Sequence, residues 1–156
     1  MPTLTSTITE SITLNGQDRG STNTLSIGSV TQVFHRIVTC PADLDTTVAT
    51  FATLASTSDV AVNMDTVKYI RVTNLDLSNP VTLSLQISND EDLTADASTS
   101  LLLAAGMSFV MGTSAEGIAT ADDGATVITD TALHDLESII IDPRSNAISV
   151  EVFIAS

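Results

Sequence analysis

Tryptophan is absent from this sequence, and aromatic residues of all kinds make up 3% of it. Sugar-binding modules present aromatic platforms that bury large areas, so the shortage weighs against that class. Cysteine occurs once, at Cys40, which excludes an intrachain disulfide and a zinc cluster built on thiolates. Lysine also occurs once, at Lys68, and the arginines Arg19, Arg36, Arg71 and Arg144 are scattered along the chain. A nucleic-acid binder needs clustered cations to displace counterions from phosphates. An anionic membrane surface asks for the same. Neither partner is therefore expected. The longest apolar run, Leu101 to Met111, is too short to span a bilayer and contains Gly106 and Ser108. Met1-Pro2-Thr3-Leu4 lacks the basic and apolar regions of a signal peptide, so a soluble, cytoplasmically made protein is expected.

What the chain does have is acid and threonine. Nineteen acids face five bases, a net charge of −14. Such charge favours solubility and long-range self-repulsion. Charged residues are nevertheless only 15% of the chain, and the mean hydropathy is positive, so apolar surface must be hidden in a core or a subunit interface. Thr and Ser together make up about a quarter of the residues. The β-branched Thr suits pleated strands. At 156 residues the chain fits one domain, large enough to bury a core without metal or disulfide.

The rhythm along the chain is that of strands. Leu4, Ser6, Ile8, Glu10, Ile12 and Leu14 alternate with Thr5, Thr7, Thr9, Ser11 and Thr13. Asn15-Gly16 then supplies a turn, and Ser21–Val30 follows with Leu25 and Ile27 on one face. Val30–Cys40 carries apolar residues on both parities, which predicts a bulge or burial on two sides. Asp43–Met64 is ambiguous: Val48, Phe51, Leu54 and Ala55 have helical spacing, whereas the threonines argue for strand. Val67–Asn74 and Val81–Ile87 read as two strands paired in a hairpin across a short loop. Gly106 marks a turn within Leu101–Met111, and Thr113–Thr131 reads as loop. Leu136–Ile141 is a buried strand, and Ile148, Val150, Val152 and Ile154 alternate near the C-terminus. Short strands separated by turns, with no βαβ rhythm, predict an all-β fold. The expectation is a jelly-roll-like antiparallel β-sandwich over residues 29–156, preceded by an N-terminal β arm over residues 1–28. An isolated hairpin is marginal in water, so such an arm is expected to pair with a neighbouring subunit.

Few residues suggest chemistry. Asp90, Glu91, Asp92 and Asp96 offer oxygen ligands for calcium, with Asp90, Asp92 and Asp96 the candidates. Their spacing is not that of an EF-hand, and a solvated turn explains them as well. Asp43 with Asp45, and Asp122 with Asp123, are weaker candidates of the same kind. His35 and His134 occur in no HExxH or GxSxG pattern and read as structural or surface residues. A dispersed Ser-His-Asp triad and a reactive Cys40 are the remaining catalytic alternatives. Burial as a small apolar residue is the plainer account of Cys40. No cofactor and no enzymatic activity are expected.

The segment Val67-Lys68-Tyr69-Ile70-Arg71-Val72-Thr73-Asn74-Leu75-Asp76, followed by Val81–Leu85, resembles small tailed-bacteriophage virion proteins. So do Leu103–Met111 and the C-terminal pair Asp135–Ile141 and Ala147–Ala155. Among these, capsid decoration (cement) proteins are similar in being small β-sandwiches assembled on the shell exterior. The resemblance covers residues 67–156 and rests on strand rhythm, so it transfers no active-site residue. It implies a final edge strand at the C-terminus, a homo-oligomer (a trimer foremost), the major capsid protein as partner, and a place on the capsid surface of the virion. It also makes the arm residues Leu4, Ile8, Ile12, Leu14, Leu25 and Ile27 the assembly candidates. The rival readings are a tail, baseplate or head-fibre protein touching the host, a calcium-dependent binding module on residues 89–96, and a small hydrolase.

Overall fold

The computed structural model describes residues 1–52, 61–87, 97–113, 118–120 and 134–156. Among them, the only helical element is a single 3-10 turn, Met64–Thr66, and everything else that is regular is strand. Among the described residues no helix is long and apolar enough to cross a membrane.

Two sheets form the sandwich. One contains β5 (Val33–Cys40), β8 (Tyr69–Asn74), β11 (Ser108–Gly112) and β14 (Ile148–Ala155), in the order β11-β8-β14-β5. The other contains β6 (Thr46–Ala52), β7 (Ala61–Asn63), β9 (Val81–Ile87), β10 (Ala97–Leu103) and β13 (His134–Asp142), in the order β10-β9-β13-β6-β7. The short β12 (Ala119–Thr120) lies against β13. All pairings are antiparallel except β6 with β7. The long strands are nested: β5 pairs with β14, β6 with β13, β8 with β11 and β9 with β10. Each sheet thus receives alternate members of one long folded ribbon.

Alternation builds the core. Ile148, Val150, Val152 and Ile154 of β14 face Val81, Leu83, Leu85 and Ile87 of β9 in one buried cluster, joined by Ile139, Ile141, Ile70 and Val72. Fully burying one such side chain is worth about 1.5–3 kcal/mol, so this layer dominates folding. No residue before Cys40 belongs to its fully buried set.

Several expectations change here. β8 and β9 are not a hairpin. They lie in opposite sheets, and residues 75–80 carry the chain from one to the other. Period-two alternation gives each strand one apolar face, but two such faces satisfy each other across the core as well as side by side. β14 is a central strand and not a final edge strand. β5 shows neither bulge nor two-sided burial: its eight residues pair without interruption with β14, and Val33 and Ile37 stand exposed. The ambiguous segment resolves as strand over Thr46–Ala52, in favour of the threonines. A bulge accounts for the spacing of Val48 and Phe51: Ala49 pairs with Ile139 and Thr47 with Ile140, so Val48 is the extra residue, and Val48 and Ala49 are both buried, while Leu54 and Ala55 lie outside the described residues.

Candidate functional site

The N-terminal arm is a single long ribbon. β1 (Leu4–Glu10) pairs with β4 (Ser21–Ile27), and β2 (Thr13–Leu14) pairs with β3 (Gln17–Asp18) beyond them. Asn15 and Gly16 take φ of 53° and 75°, the two positive values that a type I′ hairpin turn requires. At Gly20 the opposite backbone comes so close to where a Cβ would stand, against the Glu10 carbonyl oxygen, that a side chain is excluded. One face of the ribbon carries the hydroxyl rows Thr5, Thr7 and Thr9 opposite Ser26, Thr24 and Thr22.

Only the base of this ribbon is packed. Leu4, Leu25 and Ile27 form a second small cluster with Val30, Tyr69, Ala155 and Phe153 on the outer face of the β11-β8-β14-β5 sheet. The Ser6 hydroxyl lies 3.1 Å from the Tyr69 hydroxyl. Backbone bonds between Thr31, Gln32 and Ser156, and from Val30 N to the Pro2 carbonyl, pin the root. The Lys68 ammonium donates to the Ser29 carbonyl at 3.3 Å. Ile27 is fully buried within its own chain and anchors the arm. Ile8, Ile12 and Leu14 are more than half exposed. Residues 7–15 therefore reach about 30 Å beyond the last packed pair at the ordinary strand rise.

Beside the arm, the same sheet face carries a polar chain. Glu151 on β14 joins His35 on β5 (Nε2–Oε1 2.8 Å) to Arg71 on β8 (Nη1–Oε2 2.9 Å). Arg71 also donates to the Thr73 hydroxyl at 3.0 Å, and Thr73 lies 2.8 Å from the Ser108 hydroxyl. The hydrogen bond with His35, then the charge of Arg71, hold the Glu151 carboxyl below the usual glutamate range against the opposing effect of burial. Phe153 lies beneath, with Arg71 5.9 Å from its ring centre and the His35 ring 5.8 Å away. This row holds a histidine, a carboxylate and hydroxyls but not in the order of a hydrolytic triad: Glu151 is shared between His35 and Arg71, and the hydroxyls of Thr73 and Ser108 lie on the far side of Arg71. The sequence marks His35 as a structural or surface residue but gives no sign of Glu151 and Arg71 beside it. Only the strand order brings them together.

The other candidates fall apart in space or lie elsewhere. Asp90, Asp92 and Asp96 lie outside the described residues, as do Asp122 and Asp123. Asp43 and Asp45 are exposed in the β5–β6 loop. Among the described residues no three His, Cys, Asp or Glu side chains are grouped to hold a metal ion. Cys40 is fully buried; burial pushes its thiol up, opposed by a weaker hydrogen bond with Thr46.

The fold and the arm together define an antiparallel β-sandwich with a projecting hairpin. Compared with known proteins, the chain matches no family model, no curated protein and no solved structure.

Proposed function

We propose that this chain is a non-enzymatic structural protein of a tailed-bacteriophage virion. It binds the exterior of the assembled capsid, through the major capsid protein, and stabilises it. It works as a homo-oligomer, foremost a trimer. The observation that carries this reading is the arm. A ribbon whose outer two-thirds packs on none of the described residues, yet bears the exposed Ile8, Ile12 and Leu14, suits a chain that is completed by assembly. Its apolar side chains suit a surface that appears only on assembly.

The nested strand order supports reading the sandwich as a jelly roll, an architecture found in capsid domains. Fold alone does not carry function, so the weight stays on the arm and on charge. Residues 1–28 hold two acids and one arginine, while residues 29–156 hold 17 acids and four bases. A nearly neutral arm on a strongly acidic body suits a protein that sticks at one place and stays soluble elsewhere. Binding only the assembled shell would stabilise it by mass action.

The test is co-sedimentation of the purified chain with assembled shells and, separately, with unassembled capsid protein. The expected result is pelleting with shells alone and a raised temperature of shell disassembly. Pelleting with neither, together with binding to host cells, would replace this reading with a tail, baseplate or head-fibre role.

A further inference from the structure

The flank of β5 is a poorly defended edge of the molecule. β5 is an edge strand of eight residues, with β14 on one side and none of the described strands on the other. Soluble proteins normally guard such an edge with lysine, proline or a bulge. This one has none of them. Its outward side chains are Val33, His35, Ile37 and Thr39, with Val33 56% and Ile37 64% exposed. Its one full charge, Arg36, is folded back over the Phe34 ring, 5.5 Å from the centre. Next to Val33 and Phe34 a cleft of about 280 Å³ opens towards Ala61 and Val62 of β7, with Ile154 at its floor.

Charge is compatible with the same place. Two chains of net charge −14 repel, which favours contact where both surfaces carry little acid. The four strands of the β5 sheet contain one acid, Glu151, and it is ion-paired with Arg71 and hydrogen-bonded to His35. The β13 strand of the other sheet alone contains Asp135, Glu137 and Asp142. The arm, too, carries little net charge, with Glu10 and Asp18 against Arg19 over residues 1–28.

We propose that the open flank of β5, Val33 and Ile37 with the cleft beside Phe34, receives the distal N-terminal arm of a second copy of this chain. This rests on the reading of the chain as an arm-linked oligomer and names the surface that the arm meets. Arm and flank are different patches, so each chain gives one arm and receives one. Reciprocal exchange closes a two-fold dimer and exchange around a ring closes a trimer, and the native mass tells the two apart.

The test uses full-length chains in native mass measurements by light scattering. Ile37→Glu places a charge in the flank and Ile12→Glu places one in the arm; both positions are exposed, and circular dichroism checks the fold. Val33→Glu and Leu14→Glu serve as second variants of each surface. The wild type is expected to assemble. Each variant is expected to raise the concentration needed for assembly by about 30-fold or more, the effect of a lost hot spot. An equimolar mixture of the arm variant and the flank variant is expected to recover a two-chain species, because one sound arm and one sound flank remain. If the flank variants assemble like wild type, the acceptor lies elsewhere and this inference fails while the oligomer stands. It fails too if they assemble normally but lose shell binding, which would make the capsid protein the occupant. If both variants are monomers and the mixture stays monomeric, the two surfaces are not halves of one contact. A monomeric wild type would overturn this inference and the oligomer together.

Discussion

Leu25 of the arm rests on the bare backbone of Gly112: a Cβ at that glycine would come within 2.7 Å of the Leu25 Cδ2 and 3.2 Å of the Tyr69 ring. Leu25 can give way at its tip, but a branched side chain at 112 would fill the space that the arm base occupies. Gly112→Val is expected to cost about 1–3 kcal/mol by overpacking. Hydrogen exchange should then show faster opening of Ser21–Ile27 while β9 and β14 keep their protection. Uniform loss across the sandwich would mean that the arm base is part of the main core.

Asn74 is the buried polar residue that holds one end of the sandwich together. Its side-chain amide donates to the carbonyls of Asn79, Leu103 and Ala104, and its side-chain oxygen accepts from Asp76 N at 3.0 Å. The loop after β8 and the turn after β10 are thereby locked to each other. Asn74→Ala leaves those carbonyls and that amide without their partner, at a cost of about 2–4 kcal/mol. A drop in Tm of about 5–15 °C is expected for a chain of this size. A Tm unchanged within a degree would show that water replaces the side chain.

The core and the turns were legible because they follow local rules. Val81–Ile87 alternates without fault, Ile148, Val150, Val152 and Ile154 alternate in the last segment, and both are strands; Asn15-Gly16 makes the turn its two residues favour. Which strands are neighbours was not legible. β8 and β9 adjoin in sequence and part in space, since alternation fixes which side is apolar but not what covers it. The same gap hid the His35–Glu151–Arg71 row, whose members come from three strands. Val33 and Ile37 looked like core because they are apolar; only the edge position of β5 shows that they face out.

Glu151 sets an acid limit on stability. Its carboxyl ionises below the usual glutamate range in the folded chain, first because of the His35 hydrogen bond and then because of Arg71. A depressed folded value stabilises the fold above the unfolded value of about 4.3. That contribution is lost as pH falls through the lower, folded value. Glu151→Gln is therefore expected to lower Tm at neutral pH and to flatten the decline of Tm on acidification. Parallel Tm curves for variant and wild type from neutral to acid pH would show that the pair contributes nothing to folding.

Cys40 should be chemically silent in the folded protein. It is fully buried at the end of β5, and burial raises its thiol above the ordinary value, whereas reactive cysteines are exposed and beside cations. Ellman's reagent is expected to find no thiol in the native chain and one per chain in denaturant. Rapid reaction of the native protein would require β5 to open and would return the reactive-thiol reading.

Removal of residues 1–14 separates the work of the arm from that of the body. The main core contains no arm residue, so the sandwich should fold without β1. Loss of Leu4 uncovers Ile27 and Leu25 in the small cluster beside Tyr69. That exposure is expected to cost about 1–3 kcal/mol and to lower Tm by about 2–12 °C. Self-association and shell binding should both disappear, since Ile8, Ile12 and Leu14 go with the deleted strand. Light scattering reads the first and co-sedimentation the second. A truncated chain that still assembles and still pellets with shells would show that the body makes both contacts, and the arm reading would fall with the flank that was assigned to receive it.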